Sequence, residues 1–121
     1  MGYELRLERD QPLTVDEVSR VLETEGDLSF LESRDVVVDG NVVARWSGDP
    51  GSGKLAGQPS SDWHVAWLAR LADVFGARLT GEDGEVYTIR DGIVEQRSNG
   101  KVHEFGKLEE ILAAGLVEWN E

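Results

Sequence analysis

Tyr3, Leu5 and Leu7 alternate with Glu4, Arg6 and Glu8, the period of two expected of a strand with one buried face. The period then lengthens. Val15, Val18, Val21 and Leu22 share one side of a helical wheel, and Asp16, Glu17, Arg20 and Glu23 share the other. Thr14 and Glu17 form an S/T-x-x-E capping box, with Leu13 and Val18 at the positions of a hydrophobic staple, so a helix is predicted to start there. Leu28, Phe30 and Leu31 follow in a link without a period, bulky enough to be expected beneath neighbouring structure.

Valine-rich runs at 36–38 and 42–46 flank Asp39-Gly40-Asn41, which predicts a hairpin. Residues 47–61, SGDPGSGKLAGQPSS, have only Leu55 and Ala56 as apolar side chains and are expected to form a long flexible loop. WHVAWLARLADVF, from Trp63 to Phe75, predicts a central helix with Ser61 or Asp62 as N-cap and Gly76 just past its end. Ala77 to Thr80 read as a strand, followed by a turn at Gly81-Glu82-Asp83-Gly84. Runs at 86–90, 93–98 and 102–105 are separated by Asp91-Gly92 and Asn99-Gly100, a β-meander pattern, and Leu108, Ile111 and Leu112 predict a short helix ending at Gly115.

The order of elements predicts an α+β fold, with a ferredoxin-like βαββαβ core built on an antiparallel sheet and both helices on one face. A C-terminal β-meander over 86–105 and a short helix extend it, either apart from the main sheet or as its continuation. A chain of 121 residues is expected to form a single domain, 1–121.

Charge changes the picture more than composition does. The formal net charge is −12, with four basic and ten acidic residues in 1–35, four of each in 36–80, and again four and ten in 81–121. Acid is thus concentrated toward both ends of the chain. Such a field repels nucleic acid and anionic lipid and complements a basic protein. No cysteine is present, which removes disulfides and thiolate chemistry, and no signal-peptide pattern or membrane-length apolar run occurs, so a cytoplasmic location is expected.

Catalytic signatures do not hold up. Gly48-Asp49-Pro50-Gly51-Ser52-Gly53-Lys54 matches the first seven positions of a P-loop, but Leu55 stands where Mg²⁺ needs a hydroxyl, and Ala56-Gly57-Gln58-Pro59 cannot start the phosphate-binding helix. His64 and His103 are too few for a metal site without carboxylate ligands, and Ser60 and Ser61 before His64 read as helix-capping hydroxyls. Glu82, Asp83, Glu85 and Asp91 crowd two turns and read as solvated carboxylates. No catalytic residue, metal or cofactor is expected. Trp63 and Trp119 fall where a tryptophan could be partly exposed beside acid, the composition of a protein-binding hot spot.

The start Met1-Gly2-Tyr3-Glu4-Leu5 and the segment Phe75-Gly76-Ala77-Arg78-Leu79-Thr80-Gly81-Glu82-Asp83-Gly84-Glu85 resemble a group of small acidic bacterial proteins, some of them similar in size and acidity to immunity proteins of toxin systems. The shared motifs are a first strand, a helix stop and a turn. They carry no active site. The sequence therefore points to a non-enzymatic acidic binding protein, an immunity protein or antitoxin for a basic toxin or nuclease. Asp16, Glu17, Glu23, Trp63, Glu82, Asp83, Glu85 and Trp119 are the candidate partner-binding residues. A small molecule or substrate bound between sheet and helices under the 47–61 loop is one alternative, and a homodimerising structural module is another.

Overall fold

Two-residue Asx-Gly turns organise much of the chain. In the computed structural model, which describes residues 3–119, Asp39-Gly40, Asp91-Gly92 and Asn99-Gly100 all take positive φ. This is the backbone of a turn whose twist matches its flanking strands. Met1 and Gly2 of the opening motif, and the acidic Glu121, lie outside the described residues.

The elements run β1 (Leu5–Glu8), α1 (Val15–Glu23), β2 (Ser29–Phe30), β3 (Asp35–Val38), β4 (Asn41–Asp49), β5 (Ser52–Gly57), α2 (Asp62–Val74), β6 (Arg78–Thr80), β7 (Val86–Arg90), β8 (Ile93–Ser98), β9 (Lys101–Lys107) and α3 (Leu108–Ala114). The strands of this α+β chain form one sheet in the order β2-β3-β4-β5-β1-β6-β7-β8-β9, with antiparallel pairing at every recorded ladder. The meander, β7 to β9, is therefore the far third of the main sheet rather than a separate layer.

The expected loop at 47–61 is wrong for most of its length. β4 continues to Asp49, reverses at Pro50-Gly51 and returns as β5, which lies between β4 and β1 in the centre of the sheet. Side-chain composition misleads here because strand pairing uses the backbone, and glycine lets the two strands close together. Gly48 pairs with Gly53, and a Cβ on Gly48 would stand 2.9 Å from the Gly53 Cα. A Cβ on Gly53 would collide with the Trp46 ring. The P-loop-like Lys54 accordingly sits on a strand, exposed.

Both long helices start, and α2 also stops, where the pattern predicts. Thr14 Oγ1 accepts the Glu17 N–H at 3.0 Å, and the staple residues Leu13 and Val18 are buried. The second half of the capping box is not made, because the Glu17 carboxylate turns to Arg9 instead. Ser61 caps α2, and Gly76 and Ala77 donate to the Asp73 and Ala72 carbonyls in a complete Schellman end. Of the link residues, Leu28 is buried, Phe30 half-buried and Leu31 exposed.

Leu5, Leu7, Leu55, Leu79 and Val94 point to the helix side and join Val18, Leu22 and the buried face of α2 in one core. The helices line up across it, with α1 against β2, α2 over β1, β4, β6 and β7, and α3 against α2 and β9. Among the described residues, the opposite face of the sheet carries no helix, and none of the helices is long and apolar enough to cross a membrane.

Candidate functional site

Register assigns the charged residues to sides. Asp35, Arg45, Ala56, Arg6, Thr80, Val86, Arg97 and Val102 are successive partners across the strands, so they form one row on the open face. The same alternation puts Lys54, Arg78 and Arg90 on that face. Together with Arg6, Arg45 and Arg97 these are half of the 12 lysines and arginines. The helices and their links, by contrast, expose Asp16, Glu23, Asp27, Glu32, Asp62, Asp73, Glu109, Glu110 and Glu118. The charge asymmetry that looked like an end-to-end pattern is a side-to-side one.

Clustered arginines would invite nucleic acid if they were free. Three of them are paired where they stand. Arg6 faces Glu4 at 3.8 Å, Arg45 faces Asp35 at 3.8 Å, and Arg97 faces Glu95 at 3.5 Å. A phosphate backbone would have to displace these carboxylates, which opposes binding. A hollow of about 420 Å³ beside β4 and β5 opens on this same face, lined by Glu4, Arg45, Ala56 and Gln58 among others. It is therefore not the space between sheet and helices that a site under the 47–61 segment required. At the free edge, β9 carries Lys101 and Lys107 and a bulge at Phe105, devices that discourage pairing with a second copy.

The expected partner-binding residues separate into three groups. Asp16 and Glu23 are exposed on α1, while Glu17 is committed to an ion pair with Arg9, whose guanidinium also donates to the Phe75 carbonyl at 2.8 Å and the Gln11 carbonyl at 2.9 Å. That arginine ties the end of β1 to the start of α1 and the end of α2. The second group is Glu82, Asp83 and Glu85. Glu82 accepts the Glu4 N–H at 2.7 Å, and Glu85 is 5% exposed rather than solvated.

Glu85 folds back over its own turn. Its carboxylate accepts the Asp83 N–H at 3.0 Å and the Tyr3 hydroxyl, with the Tyr87 hydroxyl at 3.5 Å and Gln96 Nε2 donating to Tyr87 at 3.1 Å. Burial alone would raise the Glu85 pKa, but hydrogen bonds from Tyr3, from its own and the Asp83 backbone and from Tyr87 bring it below the usual value. Burial, with the Glu85 hydrogen bond and charge, pushes Tyr3 up to about 12. Tyr87 is raised by burial and by the Glu85 charge. A carboxylate kept ionised by four donors is a structural anchor and not a general acid. Sequence reasoning missed Tyr87 and Gln96, and the signal available was a tyrosine two residues beyond the glutamate on the helix side of β7.

The third group is Trp63 and Trp119. Trp63 is 5% exposed, not part of the surface as its place on the wheel allowed, because the segment after α3 lies against it. Trp119 is 46% exposed, and it is pinned by its N–H to the Ser60 carbonyl at 2.8 Å and its indole Nε1–H to Asp62 Oδ1 at 2.8 Å. Nearby, His64 Nδ1 is shared by the Ser60 and Ser61 hydroxyls at 3.3 and 3.2 Å and by the Ser60 N–H at 3.4 Å. Burial lowers the His64 pKa, with Glu118 opposing. Ser61 is itself fully buried and accepts the His64 N–H at 3.2 Å, so the cluster works as a helix cap. Among the described residues, no group of three or more His, Cys, Asp or Glu is arranged to hold a metal ion. No family model, curated protein or solved structure matches this chain.

Proposed function

We propose that this protein is a non-enzymatic binding domain that presents its acidic helical side to a basic protein, as an immunity protein or antitoxin masks a basic toxin or nuclease. One observation carries this reading. The exposed carboxylates of α1, α3 and their links stand on the same side of the sheet, while five of the nine arginines gather on the other side, where Arg6, Arg45 and Arg97 face carboxylates. An anionic face of this kind steers a cationic partner and makes association fast and salt-sensitive. A cytoplasmic setting suits a cysteine-free chain of this kind.

We also read the centre of the sheet as a ferredoxin-like βαββαβ unit, different in its strands from the one the sequence suggested. Support comes from connectivity. β1 is antiparallel to both β5 and β6, and β4 is antiparallel to β5, so each helical crossover, β1 to β4 and β5 to β6, skips one strand. β2 and β3 then extend one edge, and β7 to β9 the other.

The test is a pair of charge reversals read by affinity capture from the cells that encode the protein. Asp16→Lys with Glu23→Lys is expected to weaken recovery of the basic partner, and Arg78→Glu with Arg90→Glu to leave it intact. Capture that survives the α1 reversals and fails with the sheet-face ones, or that is indifferent to salt, defeats the reading.

A further inference from the structure

Where α2 begins, its first turn, the end of β9, α3 and the segment after α3 line an open hollow of about 420 Å³. That volume is within the range of ligand pockets, roughly 300–1,000 Å³. Its apolar wall includes Trp63, Phe105 and Ile111. Among the described residues, its rim carries Asp62, Glu110 and Glu118 against one cation, Lys107, which already faces Glu110 at 4.0 Å. Val117, 70% exposed, and Trp119 stand at the mouth. An apolar hollow with exposed large side chains at its mouth is the form of an interaction site rather than of an inert surface.

We propose that this hollow receives a segment of the partner protein in which an arginine or lysine adjoins an apolar residue. The inference rests on the acidic-face reading above and names the place on that face where a side chain enters. Apolar side chains and the aliphatic stem of the basic residue lie against Trp63, Phe105 and Ile111, and its charge meets the rim carboxylates. A long cationic side chain satisfies both halves of the site, since aromatic surface attracts cations as well as hydrocarbon. Trp119 is held by two hydrogen bonds before any partner arrives, so little ordering cost falls on the anchor. A second copy of the chain is a poor occupant, because it would bring the same carboxylates of a −12 protein against this rim.

The experiment uses the whole chain, isotopically labelled, titrated with a blocked hexapeptide of alternating leucine and arginine and followed by amide and indole chemical shifts. The expected result is saturable shifts centred on Asp62, Trp63, Phe105 to Lys107, Ile111 and Val117 to Trp119, including the Trp119 indole. The dissociation constant should rise with salt and roughly tenfold in Glu110→Gln with Glu118→Gln, a pair of exposed isosteric changes that leave the fold alone. Replacing arginine by glutamine in the peptide should weaken binding to a similar degree. Equal binding of the glutamine peptide overturns the proposed selectivity for a basic segment. Shifts confined to α1 overturn the hollow as the docking site while leaving the acidic-face reading standing, and shifts confined to the open sheet face, or none at all, overturn both.

Discussion

Tyr3 and Glu85, 82 positions apart, meet side chain to side chain, the tyrosine hydroxyl donating to the glutamate carboxylate. Tyr3 precedes the first strand and Glu85 closes the Gly81–Gly84 turn, so two segments distant in sequence are two halves of a single anchor. Asp83 completes it by donating its backbone N–H to Glu85 at 3.0 Å. What the turn motif supplies is a seat for a buried anion.

Removing one donor from a buried carboxylate leaves the remaining charge underpaired. Tyr3→Phe is expected to destabilise the fold by about 1–3 kcal/mol, read as a lower urea midpoint at unchanged slope. The Glu85 pKa should rise in that variant. A variant as stable as the parent would show that the hydrogen bond is not maintained in solution.

Acid and alkali should act on this anchor in opposite senses. The folded-state pKa of Glu85 is depressed, so its contribution is present above the usual carboxylate range and is lost as the pH falls through the folded value. The folded-state pKa of Tyr3 is raised from 10.0 to about 12, so its contribution is present below 10 and is lost as the pH rises from 10 toward 12. Chemical denaturation across pH should show both limbs, and Tyr3→Phe should flatten both. An unchanged profile in that variant argues against the linkage.

The Glu85 carboxylate lies on Gly81, where a Cβ would collide with it, while a Cβ on Gly84 meets nothing within 4 Å but requires a positive φ of 83°. Gly81→Ala is expected to cost about 1–3 kcal/mol through overpacking, and Gly84→Ala about 1 kcal/mol through backbone strain. Combined with Glu85→Ala, the penalty at Gly81 should shrink, since the colliding group is gone. Additive costs would separate the two residues.

Arg9 holds three elements at once, and its side chain is only 18% exposed. Arg9→Ala is expected to cost about 1–3 kcal/mol, because the Glu17 carboxylate and the Phe75 carbonyl lose charge-assisted donors. Arg9→Lys should recover part of this, as one ammonium cannot reproduce the planar fork. Thermal melts of the two variants decide it, and equal melts for lysine and arginine would refute the fork.

Hydrogen exchange distinguishes a central strand from a loop at 52–57. Leu55, fully buried on a strand paired on both sides, should exchange as slowly as Leu7, and Gly51 at the hairpin tip should exchange quickly. Fast exchange at Leu55 and Ala56 would restore the loop reading.

Local chemistry by itself determined much of this protein. The Thr14 and Ser61 caps, the Gly76 stop and the three Asx-Gly turns each depend on residues a few positions apart, and each lies where the pattern placed it. What failed was whatever depended on a neighbour distant in sequence. Residues 47–61 read as loop because nothing local shows that Gly48 and Gly53 let two backbones approach, or that β1 returns to flank them. Glu82 and Glu85 read as equally wet because only the fold brings Tyr3, 82 positions away, to Glu85. Charge followed the same rule. The net of −12 is in the sequence, but its sorting into an acidic helical side and an arginine-bearing sheet face follows from strand register, in which alternate side chains face opposite ways.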